Sequence, residues 1–278
     1  MQTRPRSLTT FVLALALALF ALPGCSGNKK VKEESEQIAA QNNQLTDAQI
    51  TVQIATDPLA DPDARREALI AIATSSAAAE PVYLDLYRAT LADPTLDATV
   101  AAVAAAALGN HGQPEDTGRL TPLLTRDATF LRWQAAVSLQ RLHNPQAIAP
   151  LIGAATKDED PDVRMACATA LGQYPRRDVF DALTTVLDDR DYGVSRAAQE
   201  SLTLMAQHDA GDDPRDWRDF ADANSATLFQ EPGPYTYTPY PPRRGIVSNI
   251  LLFWLKPVAQ PQYPIGYEPP TDETADAG

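Results

Sequence analysis

Apolar residues in the middle of the chain follow a helical beat. Residues 160–172 read D-P-D-V-R-M-A-C-A-T-A-L-G. Counting from Asp160, Val163, Cys167, Ala168 and Leu171 stand at offsets 3, 7, 8 and 11, which is one face of an α-helix. Asp160 suits the N-cap, Pro161 the first helical position and Gly172 the exit. The frame recurs from Asp61 (Ala64, Arg65, Ala68, Ile72), Asp97 (Val100, Ala104, Ala105, Leu108), Ala128 (Leu131, Arg132, Ala135, Ala136, Leu139) and Asp191 (Val194, Ala198, Leu202). Each unit has room for two helices and two turns, and so regular a step marks a stack of units that lean on their neighbours. The spacing predicts the pairs 63–73 with 81–91, 99–108 with a helix near 117–124, 130–142 with 145–155, and 161–172 with 178–187. The fifth unit runs from Tyr192 to about Gln207.

The motif D-x-x-V-R-x-x-A-x-x-A-L-G at this period resembles HEAT repeats of the short bacterial type. Ala101 and Ser195 stand where that pattern has Arg. The resemblance implies an all-α, right-handed α-solenoid of about five HEAT-like helical hairpins over residues 61–210. First helices would form the convex side and second helices the inner surface. It also implies that the frame's Asp and Arg bond between units: Asp61, Asp97, Asp160 and Asp191, with Arg65, Arg132 and Arg164 the available cations.

The segments ahead of the repeats read differently. Arg4 and Arg6 precede the apolar run 11–22, and Leu22-Pro23-Gly24-Cys25 closes it. That is a targeting segment rather than part of the fold. It resembles the lipobox of bacterial lipoproteins, which implies removal of residues 1–24, a diacylglyceryl group on the Cys25 sulfur, and lipid attachment at the membrane. Nothing after residue 25 offers ~18 consecutive apolar residues, so the chain is expected to be anchored rather than spanning. Ser26 is not the Asp that would retain such a protein in the inner membrane. The expected place is therefore the cell envelope, on the periplasmic face of the outer membrane. Residues 25–45 are polar and form a flexible tether of up to ~65 Å. Residues 46–60 hold an N-terminal capping helix, begun by a Thr46/Gln49 capping box.

Behind the repeats, residues 211–230 carry Trp217 and Phe220, expected to cover the exposed end of the stack. Residues 231–278 begin with alternating Tyr and Pro, which reads as an irregular, extended segment. The apolar run 246–255 is too short to span a bilayer. It is either docked on the solenoid or engaged with a membrane surface or partner. Residues 257–278 read as disordered.

Composition narrows function mainly by exclusion. The formal charge is −13, which argues against nucleic acid and anionic lipid. Cys167 shares its offset with four alanines and reads as a small buried filler. His111, His143 and His208 are too far apart for a short metal motif and are expected in solvated or capping turns. Asp189, Asp191 and Glu200 mimic part of a calcium loop, but the sixth-position Gly is missing. No hydrolase, P-loop, dinucleotide or zincin motif occurs. The expectation is a membrane-anchored scaffold that binds an unknown envelope protein, with no catalysis, metal, cofactor, small-molecule substrate or nucleic acid. One alternative is a structural envelope protein acting through its C-terminal tail. Another is a HEAT-type lyase, since some short-repeat proteins resemble bilin lyases.

Overall fold

The computed structural model describes residues 48–239 and 259–270. The chain divides into Met1–Gln49 and Ile50–Gly278. Of the first unit only residues 48–49, the start of a helix, are described, and the repeats belong to the second. The targeting segment, Cys25, the tether, Thr46 and the run 246–255 lie outside the described residues.

Every described element is helical, and the extended pairings are two isolated bridges. Helix α1 covers 48–56. The first helices of the five units are α2 (Pro62–Ala73), α4 (Ala98–His111), α6 (Thr129–Gln140), α8 (Pro161–Leu171) and α10 (Tyr192–Ala206). The second helices are α3 (Pro81–Leu91), α5 (Thr117–Leu120) with a 3-10 turn at Thr121–Thr125, α7 (Ile148–Lys157) and α9 (Arg177–Val186). First helices stack on one another in order. Helices α3, α7 and α9 each lie against the first helix of the following unit, so every hairpin is wedged into its neighbour. The chain is an α-solenoid.

The caps explain where the first helices begin. Asp61, Asp97, Asp160 and Asp191 each accept two backbone N–H groups of the first turn. A cap of this kind contributes ~1 kcal/mol. Ala128 occupies the same place without a side-chain bond. The column Ala68, Ala104, Ala135, Cys167 and Ala198 is buried throughout. Small side chains there let adjacent first helices approach closely.

The second helix of unit 2 departs from the expected single helix near 117–124. Helix α5 stops at Leu120 and the backbone tightens into the 3-10 turn. Pro122 supplies the reason, because its ring lacks an N–H and clashes with the carbonyl four residues back.

Gly172 also works differently from a helix exit. Its backbone is right-handed helical, so left-handed freedom is not what it provides. A Cβ there would lie 2.9 Å from Ser201 Oγ, and one on Gly109 would lie 2.8 Å from the Ser138 Cα. Both glycines admit the serine of the next first helix, whose hydroxyl donates to a carbonyl of the preceding one: Ser138 to Ala105 at 2.9 Å and Ser201 to Ala168 at 3.0 Å.

The far end is closed by α11 (Pro214–Ala223). Trp217 is fully buried, edge-on to Phe180 at 6.0 Å, and its indole donates to the Gly211 carbonyl at 2.8 Å. Phe220 stacks on His208 at 4.3 Å. These aromatics supply the apolar surface that a sixth unit would otherwise bury.

Candidate functional site

The stack has two edges: the turns where one unit hands over to the next, and the turns joining the two helices of a unit. At the hand-over edge, Arg132 Nε and Nη2 donate to the two Asp158 carboxylate oxygens at 2.8 and 2.9 Å. Its Nη1 donates to the Arg126 and Asp127 carbonyls ahead of its own helix. Arg164 repeats this one unit on, reaching Asp189 at 2.7 and 2.9 Å and the Asp158 and Glu159 carbonyls. The Arg132 and Asp158 side chains are only 8% and 6% exposed. Asp189 is held below the usual carboxylate range, chiefly by its hydrogen bond from Arg164. A two-pronged contact of this kind fixes the angle between units as well as their separation.

The acid in each bridge is not the frame's Asp. The capping residues Asp160 and Asp191 serve their own helices, and Asp158 and Asp189, two positions earlier, receive the arginine of the previous unit. A capping carboxylate accepts two first-turn amides, whereas Asp158 and Asp189 each accept one N–H, from Asp160 and Asp191, and keep lone pairs for the guanidinium. At the first junction that earlier position holds Thr95, and Arg65 Nε is buried without a hydrogen-bond partner. Units 1 and 2 are joined instead by Arg88, whose Nε and Nη2 reach Asp116 at 2.8 and 3.0 Å. Asp116 is almost fully buried and also accepts from the Gln113 N–H. Burial works against its charge, but Arg88 and that N–H hold its carboxyl below the ordinary range.

The within-unit edge is stitched by polar side chains and then covered. Asn144 donates its amide to the Pro114 carbonyl at 2.8 Å. The Tyr174 hydroxyl donates to the Asn144 carbonyl at 3.0 Å and accepts from its N–H at 3.2 Å. Arg141 donates to Asn110. Two pieces of the C-terminal region lie over these turns. Tyr235 is buried, accepting from Gln140 Nε2 at 2.9 Å and donating to the Thr169 carbonyl at 2.9 Å. Burial pushes its phenol well up from the ordinary value. Tyr237 stands under the Arg141 guanidinium, 5.6 Å from ring centroid to Cζ.

Residues 259–270 correct the expectation of a disordered tail. The Ile265 N–H donates to the Arg141 carbonyl and the His143 N–H donates to the Ile265 carbonyl, both at 2.8 Å. Pro264 is buried and Ile265 packs against the core. The segment is extended, as Pro-rich sequence requires, but its backbone groups find partners on the turns rather than in water.

His143 is likewise neither solvated nor a cap. Its ring stacks on Tyr174 at 4.9 Å, meets Tyr267 edge-on at 5.3 Å and places Nδ1 3.1 Å from Gln173 Oε1. Burial holds its pKa below the usual imidazole value. His111 ends α4 with a ring nitrogen 3.2 Å from the Ala73 carbonyl, and His208 joins the end cap. Cys167 is buried, and burial pushes its thiol strongly upward, away from thiolate reactivity. The acids of the calcium-like loop are otherwise engaged: Asp189 with Arg164, Asp191 as a cap, Glu200 with Arg196 at 2.8 Å. Among the described residues no group of three or more His, Cys, Asp or Glu could hold a metal ion, and no helix is long and apolar enough to cross a membrane.

Residues 127–203 match the family described as HEAT repeats. These are the units that carry both arginine bridges, and over that stretch the chain is similar to HEAT repeats. Two engineered proteins solved by the Northeast Structural Genomics Consortium are among its structural neighbours. One is 20% identical with a TM-score of 0.45, covering 66% of this chain and 87% of its own. The other is 23% identical with a TM-score of 0.46, covering 66% and 90%. Human deoxyhypusine hydroxylase in complex with glycerol is more distant, at 16% identity and a TM-score of 0.24, over 59% of this chain and 97% of that one. No curated protein matches.

Proposed function

We propose that this chain is a membrane-anchored scaffold of the cell envelope that binds another protein along its second helices and performs no catalysis. The observation that carries the reading is the repeated arginine bridge. It fixes unit 3 against unit 4 and unit 4 against unit 5, so that the second helices α7 and α9 are held in a set relation and can act together as a surface. Rigid presentation of that kind lowers the ordering cost of binding. Val82 on α3 is 62% exposed, with Tyr83 and Leu86 half-buried beside it and Ile152 half-buried on α7. These give a partner apolar contact among polar residues.

Anchoring rests on the lipobox-like sequence at Leu22–Cys25. Acyl chains on Cys25 would hold the protein at the membrane; two chains anchor stably where one binds only marginally. Ser26, standing where an Asp would retain such a protein in the inner membrane, fits the periplasmic face of the outer membrane.

In the native envelope, cross-linking should recover a reproducible protein adduct that Val82→Glu with Ile152→Glu abolishes. Palmitate labelling should disappear in Cys25→Ser together with membrane retention. Adducts that persist in the double variant sink the second-helix surface. Membrane retention of Cys25→Ser sinks the anchor.

A further inference from the structure

The first helices have an outward face that their stacking leaves uncovered, and its chemistry changes from unit to unit. In unit 1 the frame offsets 2 and 5 hold Asp63 and Arg66, an ion pair at 3.1 Å. In unit 5 offsets 5 and 9 hold Arg196 and Glu200, paired at 2.8 Å. Such pairs suit a helix face turned to water. In unit 3 offsets 2 and 5 hold Phe130 and Trp133 instead, and in unit 4 offset 5 holds Met165. Phe130 is 47% exposed, and Trp133 and Met165 are half-buried. Met165 reaches the start of α10, where a Cβ on Gly193 would lie 3.4 Å from its Sδ. Tyr192, next to that glycine, is 79% exposed.

An aromatic and methionine stripe thus crosses α6, α8 and the start of α10, with charged pairs beyond it in units 1 and 5. Trp, Tyr, Phe and Met are the side chains enriched where proteins meet, and a polar rim is their usual border. A strand laid here would find no backbone partner, because helices satisfy their own amides and carbonyls. A helix fits the spacing. Packed helices stand ~8–10 Å apart, and a partner helix running along the stack advances ~10.5 Å in seven residues. Its residues i, i+7 and i+14 would therefore meet three successive units.

The surroundings set the sign of the partner's charge. The turns leading into α6, α8 and α10, with the first turn of α8, expose Asp127, Glu159, Asp162 and Asp188 against Lys157 and Arg190. Arg132 and Arg164 are buried in their bridges and offset none of this outward. An excess of carboxylates around an apolar stripe favours a cationic partner. It repels an anionic membrane, and a second copy docked face to face would set the same acids against themselves.

We propose that the outward face of α6 and α8, continued by Tyr192, is a docking surface for an amphipathic helix of another protein, its apolar stripe bordered by Lys or Arg. This face is separate from the second-helix surface and does not depend on anchoring.

The test uses the full chain and two labelled helical peptides of about 18 residues, long enough to span three units. Both carry the same Leu stripe, bordered by Lys in one and by Glu in the other. In fluorescence anisotropy the Lys peptide should bind at least tenfold tighter than the Glu peptide. Phe130→Ser with Tyr192→Ser, at two exposed positions, should weaken the Lys peptide at least tenfold while helical circular dichroism is retained. Glu159→Gln with Asp162→Asn should weaken it at least threefold and flatten its salt dependence. Val82→Glu with Ile152→Glu, which tests the second-helix surface, should not weaken it. Equal binding of the two peptides overturns the proposal, as does binding that the serine variant leaves intact or the absence of saturable binding. A dimer by light scattering that the serine variant disperses also overturns it, giving the face to a second copy.

Discussion

Along the hand-over edge, Arg132 and Arg164 make the same buried, two-pronged contact one unit apart. Along the within-unit edge nothing repeats in that way: Asn144, Tyr174 and His143 each make a different bond, and the two C-terminal pieces, around Tyr235 and over 259–270, lie across them as a strap. The first edge is held by charge taken out of water, where a lost partner leaves an uncompensated ion. The second carries charge at Arg88–Asp116 and at Arg141 but is otherwise held by hydrogen bonds between neutral groups and by aromatic contact, where a lost group costs less and water can substitute. The repeated edge therefore fixes the stack, and the irregular edge can be opened without dismantling it.

Four perturbations separate the edges, from largest to smallest. Arg164→Ala strands Asp189 and should cost about 3–5 kcal/mol in denaturant unfolding, a loss that Arg164→Ala with Asp189→Ala partly restores. Gly109→Ala drives a methyl into the backbone at Ser138 and should cost about 1–3 kcal/mol by the same assay. Tyr235→Phe removes one donor and one acceptor on the strap and should cost about 1–2 kcal/mol. Its effect should appear as protease cleavage near residue 235 with the melting temperature of the stack nearly unchanged. Arg65→Ala, at the junction where its Nε makes no hydrogen bond, loses no two-pronged bridge and should cost under ~1 kcal/mol.

Acidification should open the edges in order. The folded state depresses the His143 pKa, so the unfolded form binds the extra proton. The stability tied to this residue is full above the ordinary imidazole value of ~6.5 and is lost as pH falls below it. On the hand-over edge Asp189 is a depressed carboxylate, whose contribution is present above ~3.9 and fades as pH falls further. Protease protection of residues 235 and 265 should therefore decline before helical circular dichroism does. Simultaneous loss would contradict the separation.

Periodicity explains what could be read from the chain and what could not. The caps at Asp61, Asp97, Asp160 and Asp191 and the alanine column with Cys167 recur, so the frame found them. The bridging acids Asp158 and Asp189 sit in turns crowded with chemically equivalent neighbours. Which carboxylate meets the arginine depends on which is already capping a helix. Ser138 and Ser201 share an offset, and a polar residue on an otherwise apolar stripe was the available signal. The strap left no periodic trace. Proline and tyrosine content gave its extended conformation correctly, but its docking surface is assembled from the turns of three units and exists only once they stack.

The most direct test is a pair of double-mutant cycles, Arg164 with Asp189 and Gln140 with Tyr235, each residue replaced by Ala and followed by urea unfolding of the stack. Coupling of roughly 2 kcal/mol or more for the first pair and under about 1 for the second is expected. Additive behaviour at Arg164 and Asp189, or equal coupling in both cycles, would contradict the claim that the hand-over edge holds the solenoid together.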